Sequence, residues 1–377
     1  MENKIQFNDL SRSYKKIKSE YLKKVTFIHN NSDYINGVEV KKFEENLKKF
    51  LNVKNVISCG NGTDALFMSI FCLNLKKNDE VIMPAFSYIS AIEVVSILGL
   101  KPVLVDIDPN NFNINVKEIV AAISSKTKLI IPVHLFGNNS DMKSIMQIAK
   151  KYKLYVVEDA AQSVSSVYTL NNKKFSSGSL GDIGCASFFP TKNLGCFGDG
   201  GVMFTNNDKI AKKLRMIRNH GQEKKYVHAT LGFNSRLDTI QAAVLNAKLK
   251  YLPGENKIRQ EIALKYNRGF KEIKNIVTPL ATNHSNHVYH QYTIRIKKGL
   301  REKLKNYLEQ QGIPTMIYYP SPIHHNEPFK KNIKKIGLLK ESIKASKEVL
   351  SIPIFPYLKS SEINFIIKSI KGFFNER

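Results

Sequence analysis

One lysine stands in a setting that is unusual for this lysine-rich chain. Lys192 follows residues 184–191 (GCASFFPT), which are mostly apolar or small, and glycines come soon after it at 195, 198, 200 and 201. Removing an ammonium group from water lowers its pKa toward the uncharged and nucleophilic amine. Such an amine can hold an aldehyde as an imine. A solvated turn lysine is the alternative, and the apolar context argues against it.

A carboxylate precedes this lysine at the end of a predicted strand. Asp159 comes directly after the apolar run 154–157 (LYVV) and Glu158. In an open parallel sheet, ligands bind at the carboxyl edge of the strands. A carboxylate beside a pyridine nitrogen keeps that ring protonated, which the chemistry of pyridoxal 5′-phosphate (PLP) requires. An ordinary helix N-cap, followed by Ala-Ala-Gln, is the alternative.

A glycine-rich turn between a predicted strand and a predicted helix lies earlier, at residues 60–66 (GNGTDAL). Backbone N–H groups at the start of a helix bind anions, and the helix dipole adds to the attraction. We expect a phosphate on the amides of Thr63 and Asp64, with Gly62 relieving steric crowding and Ser187 adding a hydroxyl group. A purely structural turn with a polar cap is the alternative.

These three segments become informative in combination. A phosphate cradle, a strand-end carboxylate and a lysine, in this order, are the groups that hold PLP by its phosphate, its ring nitrogen and its aldehyde. The sequence therefore predicts a PLP enzyme in which Lys192 and Asp159 are the catalytic residues.

An α/β fold must position these residues. From residue 54 to about 206, short β-branched runs alternate with helical patterns, which is typical of a parallel sheet covered by helices. A helix is predicted from residue 237 through Leu252 and past Pro253. We predict a large domain over 1–250 and a smaller α+β domain over 251–377. The predicted strands are 56–58, 80–83, 102–105, 129–133, 154–157, 183–188, 201–205, 289–296 and 314–319, and a further helix is predicted at 300–311.

Length and charge restrict the possible functions. The chain has 377 residues, of which 42 % are hydrophobic, so it can bury a sizeable core. A formal charge of +26 could mark a nucleic-acid binder, but the lysines are scattered and no nucleic-acid module is present. We expect no nucleic-acid partner. A positive field would instead attract a small anionic substrate.

Cysteines and apolar runs point to an intracellular protein without metal or membrane. Four cysteines lie far apart with no Cys-x-x-Cys pair, which argues against a structural zinc site or a disulfide framework. No apolar stretch approaches the roughly 20 residues of a membrane span, and the N-terminus does not resemble a secretory signal. The expectation is a cytoplasmic protein with no membrane partner.

Six segments together carry a resemblance to one known family. They are residues 7–10 (FNDL), 60–66 (GNGTDAL), 132–137 (PVHLFG), 158–162 (EDAAQ), 187–193 (SFFPTKN) and 232–237 (GFNSRL). In these segments the chain resembles the DegT/DnrJ/EryC1/StrS family of PLP-dependent sugar aminotransferases, nearly from end to end. The resemblance implies fold type I, the fold of aspartate aminotransferase. It also implies a homodimer with shared active sites at the subunit interface.

The resemblance assigns roles to individual residues. Lys192 is similar to the lysine that forms the Schiff base, and Asp159 to the partner of the pyridine nitrogen. Gln162 resembles the hydrogen-bond partner of the cofactor's ring oxygen. Tyr88 corresponds to the aromatic residue that stacks on the ring, with Phe86 or ordinary core packing as alternatives. The residues similar to the phosphate binders are Gly62, Thr63, Asp64, Ser187 and, from the other subunit, Asn234.

The reaction implied by the resemblance is amino transfer from glutamate to a nucleotide-linked keto sugar. Residues 232–243 and 318–326 look most like the branch that aminates C3 of dTDP-3-keto-6-deoxyhexoses, although Asn326 stands in place of the usual glutamine. C4 amination of UDP- or GDP-4-keto-6-deoxysugars is the alternative. The implied sugar contacts, each of which could instead be an ordinary structural residue, are His134, Tyr226, His228, Tyr319 and His324.

Two rival functions follow from the same sequence. A sugar 3-dehydratase branch of the family carries histidine where this chain has Lys192, so the lysine argues against that activity. The rival from another class is a basic nucleotide- or nucleic-acid-binding protein with a dead site. Such a protein would be colourless, whereas a PLP-bound lysine absorbs visible light.

Overall fold

The computed structural model describes residues 5–282 and 284–375. The chain alternates helices and strands throughout. The helices are α1 (Leu10–Asn31), α2 (Val38–Leu51), α3 (Gly62–Cys72), α4 (Ser90–Ile97), α5 (Val116–Ala122), α6 (Met142–Tyr152), α7 (Asp208–Ile217), α8 (Thr239–Leu249), α9 (Leu252–Phe270), α10 (Arg301–Gln310), α11 (Lys340–Glu348) and α12 (Ser360–Asn375). Short 3₁₀ helices cover Leu135–Gly137, Ile323–His325 and Glu327–Phe329.

The strands form one large sheet and three small ones. They are β1 (Asn55–Cys59), β2 (Glu80–Pro84), β3 (Lys101–Val105), β4 (Thr127–Ile130), β5 (Tyr155–Asp159), β6 (Val167–Leu170), β7 (Lys173–Ser176), β8 (Ile183–Ser187), β9 (Gly201–Thr205), β10 (Gln222–Lys224), β11 (Val227–His228), β12 (Ile276–Val277), β13 (Tyr292–Ile296), β14 (Lys334–Lys335) and β15 (Val349–Ile352).

The large sheet has eight strands in the order β1-β9-β8-β5-β4-β2-β3-β14. Only β9 runs against the others, since it pairs antiparallel with both of its neighbours. Strands such as β2 and β9 are buried along their whole length, because helices cover both faces. This explains why the sequence shows continuous apolar runs here instead of alternation. The predicted α/β fold with a mainly parallel sheet is confirmed.

A smaller antiparallel sheet, β12-β13-β15, lies in the C-terminal part of the chain. Helices α9, α10 and α12 cover it, and its core contains the fully buried rings of Tyr266, Phe270 and Tyr292. The predicted smaller α+β unit is thus present. Strand β14 returns to the large sheet beside β3. The division of the chain at residue 250 stays a prediction.

Three details differ from the sequence-based expectations. The predicted helix past Pro253 is broken, with α8 ending at Leu249 and α9 beginning at Leu252, because proline lacks an N–H and fits only the first turn of a new helix. The strand predicted at 314–319 is wrong, since Met316 makes only one isolated bridge to Ser351. Helix α1, 22 residues long, was not predicted. None of the helices in the described residues could span a bilayer.

Candidate active site

A cavity of about 370 Å³ opens at the carboxyl ends of the parallel strands. Strand β5 ends there at Asp159 and β8 at Ser187, while the turns after β1 and β2 supply further wall. Ligands bind at this edge of open α/β sheets because successive strands deliver loops to the same side. Among the residues predicted from the sequence, those lining the cavity are Gly62, Thr63, Tyr88, Asp159, Gln162, Ser187, Lys192 and Tyr319.

The start of α3 closes one end of this cavity. Asn61 caps the helix, since its side-chain oxygen accepts the Asp64 N–H at 2.8 Å. The Asp64 amide is therefore engaged, contrary to the expectation that it would hold a phosphate. The amides of Gly62 and Thr63 have no bonding partner among the described residues. Two free N–H groups at the positive end of an 11-residue helix form an anion site.

Gly62 lies at this point because a larger residue would not fit. A Cβ atom at position 62 would come within 2.7 Å of the Ser187 Cβ. The missing side chain lets the helix start approach the end of β8, where the Ser187 hydroxyl lines the cavity. The Thr63 hydroxyl is 3.0 Å from the Ser90 hydroxyl, which fixes its position at the rim.

Asp64 faces away from the cavity. Its carboxylate accepts the Ser235 hydroxyl at 2.7 Å, and the Ser235 oxygen accepts the Gly60 N–H at 3.0 Å. Asp64 and Asn234 line a second cavity of about 350 Å³ together with Phe67. Asn234 therefore does not meet the first cavity within one chain.

Asp159 is almost completely buried, with 8 % of its surface exposed. One carboxylate oxygen accepts the Ala161 N–H at 3.0 Å. Burial raises the pKa of Asp159, while the Ala161 N–H and the nearby Lys192 and His134 act in the opposite direction. The second oxygen has no partner among the described residues. This oxygen is free to accept a hydrogen bond from a protonated ring nitrogen.

Gln162 joins two parts of the cavity wall that are distant in sequence. Its side-chain oxygen accepts the Phe136 N–H at 2.6 Å, and its amide nitrogen donates to the Tyr319 hydroxyl at 3.1 Å. Because the backbone N–H can only donate, the orientation of the amide is fixed. One N–H of the amide remains for a ligand. Burial raises the pKa of Tyr319, so its hydroxyl stays protonated and can donate.

Lys192 projects its amine into the cavity without a hydrogen-bond partner among the described residues. Its backbone N–H donates to the Phe189 carbonyl at 2.8 Å, which holds the turn after β8. Burial lowers the pKa of Lys192 to about 8, and the Asp159 charge partly opposes this effect. About a tenth of the amine is therefore uncharged at pH 7 and able to attack an aldehyde, far more than for an ordinary lysine.

His134 lies behind Asp159 and not in the cavity. It is fully buried, its Nδ1 accepts the Ser140 N–H at 3.1 Å, and its Nε2 is 2.8 Å from the Glu158 carboxylate. Because Nδ1 accepts a hydrogen bond, Nε2 carries the proton and donates a hydrogen bond to Glu158. The structure gives His134 a supporting position, with no ring nitrogen left for a sugar.

Glu158 supports the strand end that carries Asp159. Its carboxylate also accepts the N–H groups of Gly178, Leu180 and Gly181, at 3.2, 2.8 and 2.5 Å. These residues lead into β8, the strand before Lys192. One buried carboxylate thus fixes β5 and the approach to β8 together, which sets the separation between Asp159 and Lys192.

The other predicted sugar contacts lie outside the cavity within one chain. Tyr226, 79 % exposed, and His228 belong to the β10–β11 hairpin. His324 is buried and lines a separate cavity of about 380 Å³ beside His325 and Lys335. Tyr319 is the one predicted sugar contact that the described fold brings to Lys192.

Several lining residues were not predicted from the sequence. Asn61 and Ser90 stand at the phosphate end, and Thr191 adjoins Lys192. His290 and Gln291 enter from the smaller sheet, directly before β13. Only their position in the sequence gave a signal, because both are polar residues directly before the apolar part of a predicted strand.

The residues present fit PLP. Free amides at α3 match a phosphate, the open oxygen of Asp159 matches a ring nitrogen, and the Lys192 amine matches the aldehyde. A cavity of about 370 Å³ lies within the range of about 300–1,000 Å³ that is usual for small-molecule sites.

Solved structures share this architecture over nearly the whole chain. A DegT/DnrJ/EryC1/StrS aminotransferase from Brucella abortus is 37 % identical with a TM-score of 0.94, covering 98 % of this chain and 99 % of that one. NtdA from Bacillus subtilis, solved with bound pyridoxamine phosphate, is 31 % identical with a TM-score of 0.91, covering 100 % of this chain and 86 % of that one.

Named relatives also match over nearly the whole chain. A pleiotropic regulatory protein of Geobacillus stearothermophilus is 43 % identical, covering 97 % of both chains. A UDP-2-acetamido-2-deoxy-3-oxo-D-glucuronate aminotransferase of Pseudomonas aeruginosa is 40 % identical over 97 % of this chain and 99 % of its own. A dTDP-3-amino-3,6-dideoxy-α-D-galactopyranose transaminase of Aneurinibacillus thermoaerophilus is 39 % identical over 98 % and 99 %.

The family assignment rests on the whole chain. Residues 15–371 match the DegT/DnrJ/EryC1/StrS aminotransferase family. The predictions of an aminotransferase, of PLP as cofactor and of fold type I are thereby confirmed. The chain belongs to the DegT/DnrJ/EryC1/StrS aminotransferase family, whose enzymes use PLP to aminate nucleotide-linked keto sugars.

Proposed function

We propose that this enzyme transfers the amino group of glutamate to C3 of a 3-keto sugar carried on a nucleoside diphosphate. The first candidate is a dTDP-3-keto-6-deoxyhexose, which yields the 3-amino sugar. The observation that carries the proposal is a cavity with a lysine and a carboxylate placed for PLP. Two of the relatives reported above support it, since they are named for a UDP-linked 3-oxo sugar and a dTDP-linked 3-amino sugar.

The names of the relatives favour C3 over C4. A further relative, from Acidithiobacillus ferrooxidans, is named a UDP-N-acetyl-3-dehydro-α-D-glucosamine 3-aminotransferase and is 37 % identical. The GDP-perosamine synthase of Caulobacter vibrioides matches over only 78 % of this chain. Relatives acting on UDP- and dTDP-sugars are almost equally identical, at 40 % and 39 %. A UDP-linked 3-keto sugar is therefore the second candidate.

The residues divide the chemistry among themselves. PLP, when bound, supplies the aldehyde that takes up the amino group and the ring that accepts electrons. The amides of Gly62 and Thr63 would hold the phosphate, and Asp159 would keep the ring nitrogen protonated. Lys192 then moves a proton, first as a base at the substrate carbon and afterwards as an acid. Tyr88, 58 % exposed, would cover the ring from solvent.

We also propose a homodimer in which each subunit completes its partner's site. Asn234 lines a surface cavity with Phe67 and Phe233, away from Lys192 of its own chain. Tyr226 and Val227 are exposed apolar residues on the neighbouring hairpin. A second copy would cover these side chains and bring Asn234, Tyr226 and His228 to a substrate. The division into domains 1–250 and 251–377 belongs to the same proposal.

A substrate panel tests the position of amination. The purified enzyme is loaded with PLP and glutamate and given a dTDP-3-keto-6-deoxyhexose, a UDP-linked 3-keto sugar and a GDP-4-keto-6-deoxysugar. NMR then locates the new amine. We expect an amine at C3 and no turnover of the 4-keto sugar. An amine at C4 as the main product would contradict the proposal, and no amination of any keto sugar would contradict it more broadly.

A further inference from the structure

His290 reaches the cavity from the smaller sheet and has no role in the chemistry described so far. It lies directly before β13, is 6 % exposed and lines the same cavity as Lys192. Its Nδ1 is 3.2 Å from the side-chain oxygen of Asn193, the residue next to Lys192. This contact ties the smaller sheet to the turn that carries the reactive amine.

The hydrogen bonds of Asn193 determine which His290 nitrogen carries the proton. The Asn193 amide nitrogen donates to the Val288 carbonyl at 3.1 Å and to the Asn256 side-chain oxygen at 2.7 Å. A backbone carbonyl can only accept, so the amide orientation of Asn193 is fixed. Its oxygen must then accept from His290. Nδ1 therefore carries the proton, and Nε2 is a proton-free acceptor.

His290 stays neutral because of its surroundings. Burial lowers its pKa well below the usual value, and the charges of Lys192 and Arg259 lower it further. The Nε2 atom has no hydrogen-bond partner among the described residues. Because His290 lines the cavity, a ligand or a moving side chain can supply a donor to this nitrogen. The titratable and charged groups that surround Lys192 and His290 are Asp159, Asp199, Arg259, Tyr88, Tyr318 and Tyr319.

Lys192 needs an acceptor once it is released from the cofactor. Asp159 is committed, since one oxygen accepts the Ala161 N–H and the other would face the ring nitrogen. We propose that His290 is a positioning residue, whose Nε2 accepts a hydrogen bond from the released Lys192 amine and holds it beside the reacting carbon. The inference rests on the proposed role of Lys192 as the lysine that carries PLP.

The proton movement balances without any other reactant. Lys192 Nζ takes the proton when the C–H bond of the substrate breaks, and the electron pair of that bond stays with the carbon. The ammonium then has three N–H bonds. One donates to His290, and another is returned as a proton in the second half of the transfer. Hydrogen bonds from a charged donor are stronger than those from a neutral one, so His290 stabilises the ammonium form of Lys192.

The test compares His290→Phe with a matched control, His287→Phe. His287 is also buried, lies three residues earlier, and stacks on Tyr289 with ring centroids 3.9 Å apart, but it does not line the cavity. Phenylalanine keeps the ring at both positions. The readout is the pH dependence of the rate at which the aminated form of each enzyme regains its visible band with the keto acid of glutamate. This reaction begins with the Lys192 amine released from the cofactor, so its pH midpoint reports the pKa of that amine.

We expect the midpoint of this pH profile to fall by about one to two pH units in His290→Phe. It should stay at the wild-type value in His287→Phe, and His290→Gln should restore part of the shift because its amide oxygen accepts. Equal midpoints in wild type and His290→Phe would overturn the proposal. Failure of the underlying assignment looks different, because wild type would then form no band or Lys192→Ala would still form one.

A measurement on the unmutated chain covers the case in which His290→Phe does not fold. Nitrogen-15 NMR of histidine-labelled protein distinguishes protonated from proton-free ring nitrogens. For His290 we expect a protonated Nδ1 and an Nε2 signal that moves when the cofactor is converted to its aminated form, which releases Lys192. An Nε2 signal that carries the proton, or that does not respond to this release, would overturn the proposal.

Discussion

Gly62 offers a sharp test of how the phosphate end of the cavity is built. A Cβ atom at this position would lie 2.7 Å from the Cβ and 3.3 Å from the Cα of Ser187. Non-bonded carbon atoms pack at about 3.5–4.0 Å, so Gly62→Ala forces the start of α3 or the end of β8 to move. Overpacking of this kind costs about 1–3 kcal/mol. Since both elements line the cavity, the dissociation constant of PLP should rise about 10- to 100-fold.

The assay is a PLP titration of the apoprotein followed by its visible absorbance, together with thermal unfolding. Gly254→Ala is the matched control, because Gly254 lies in α9 and a Cβ there would meet no atom within 4 Å. Alanine is favoured over glycine in helices by about 0.5–1 kcal/mol. This variant should therefore keep its PLP affinity and unfold at a slightly higher temperature. Unchanged PLP affinity in Gly62→Ala would refute the reasoning.

Three other side chains give predictions of their own. Because burial lowers the pKa of Lys192 to about 8, imine formation with PLP should accelerate with pH and level off above about 8, and a plateau only near the ordinary lysine value of 10.5 would contradict this. Burial lowers the pKa of His287 from 6.5 to about 3, so its contribution to stability is complete above pH 6.5 and is lost as the pH falls. At pH 5, protonation of this residue in the unfolded chain lowers the free energy of unfolding by about 2 kcal/mol. Urea titrations should therefore show that His287→Phe loses less stability than wild type between pH 7 and 5. Glu158→Gln places an amide against the four N–H groups that the carboxylate accepts, and urea unfolding should show a loss of about 2–3 kcal/mol, whereas a loss below about 0.5 kcal/mol would contradict that arrangement.

The sheet and the centre of the site could be predicted because they depend on short stretches of sequence. Strands β5 and β8 each contain a short run of apolar or small residues, and the polar residues at their carboxyl ends reach the same sheet edge because the two strands are parallel. Asp159, Ser187 and Lys192 were therefore expected together from the sequence alone, and the described structure places them on one cavity.

The remaining walls could not be predicted because they depend on how distant segments pack. His290 and Tyr318 reach the cavity only through the docking of the smaller sheet, which leaves no local pattern. Helix α1 is a different case, because its apolar residues repeat at helical spacing and the sequence did carry a signal for it, at Leu10, Tyr14, Ile17, Tyr21 and Ile28. His134 has the residue type of a sugar contact, but its partner Glu158 is a buried residue on the neighbouring strand, and only the fold reveals that pairing.

Borohydride reduction followed by peptide mapping tests the central claim most directly, because it fixes the cofactor covalently to the lysine that holds it. A second lysine makes the result informative: burial also lowers the pKa of Lys248 to about 8, and its amine donates to the Gly195 carbonyl at 2.6 Å. We predict that the pyridoxyl group is found on Lys192 and that Lys192→Ala loses both label and visible band. A label on Lys248, or on any residue other than Lys192, would contradict the account.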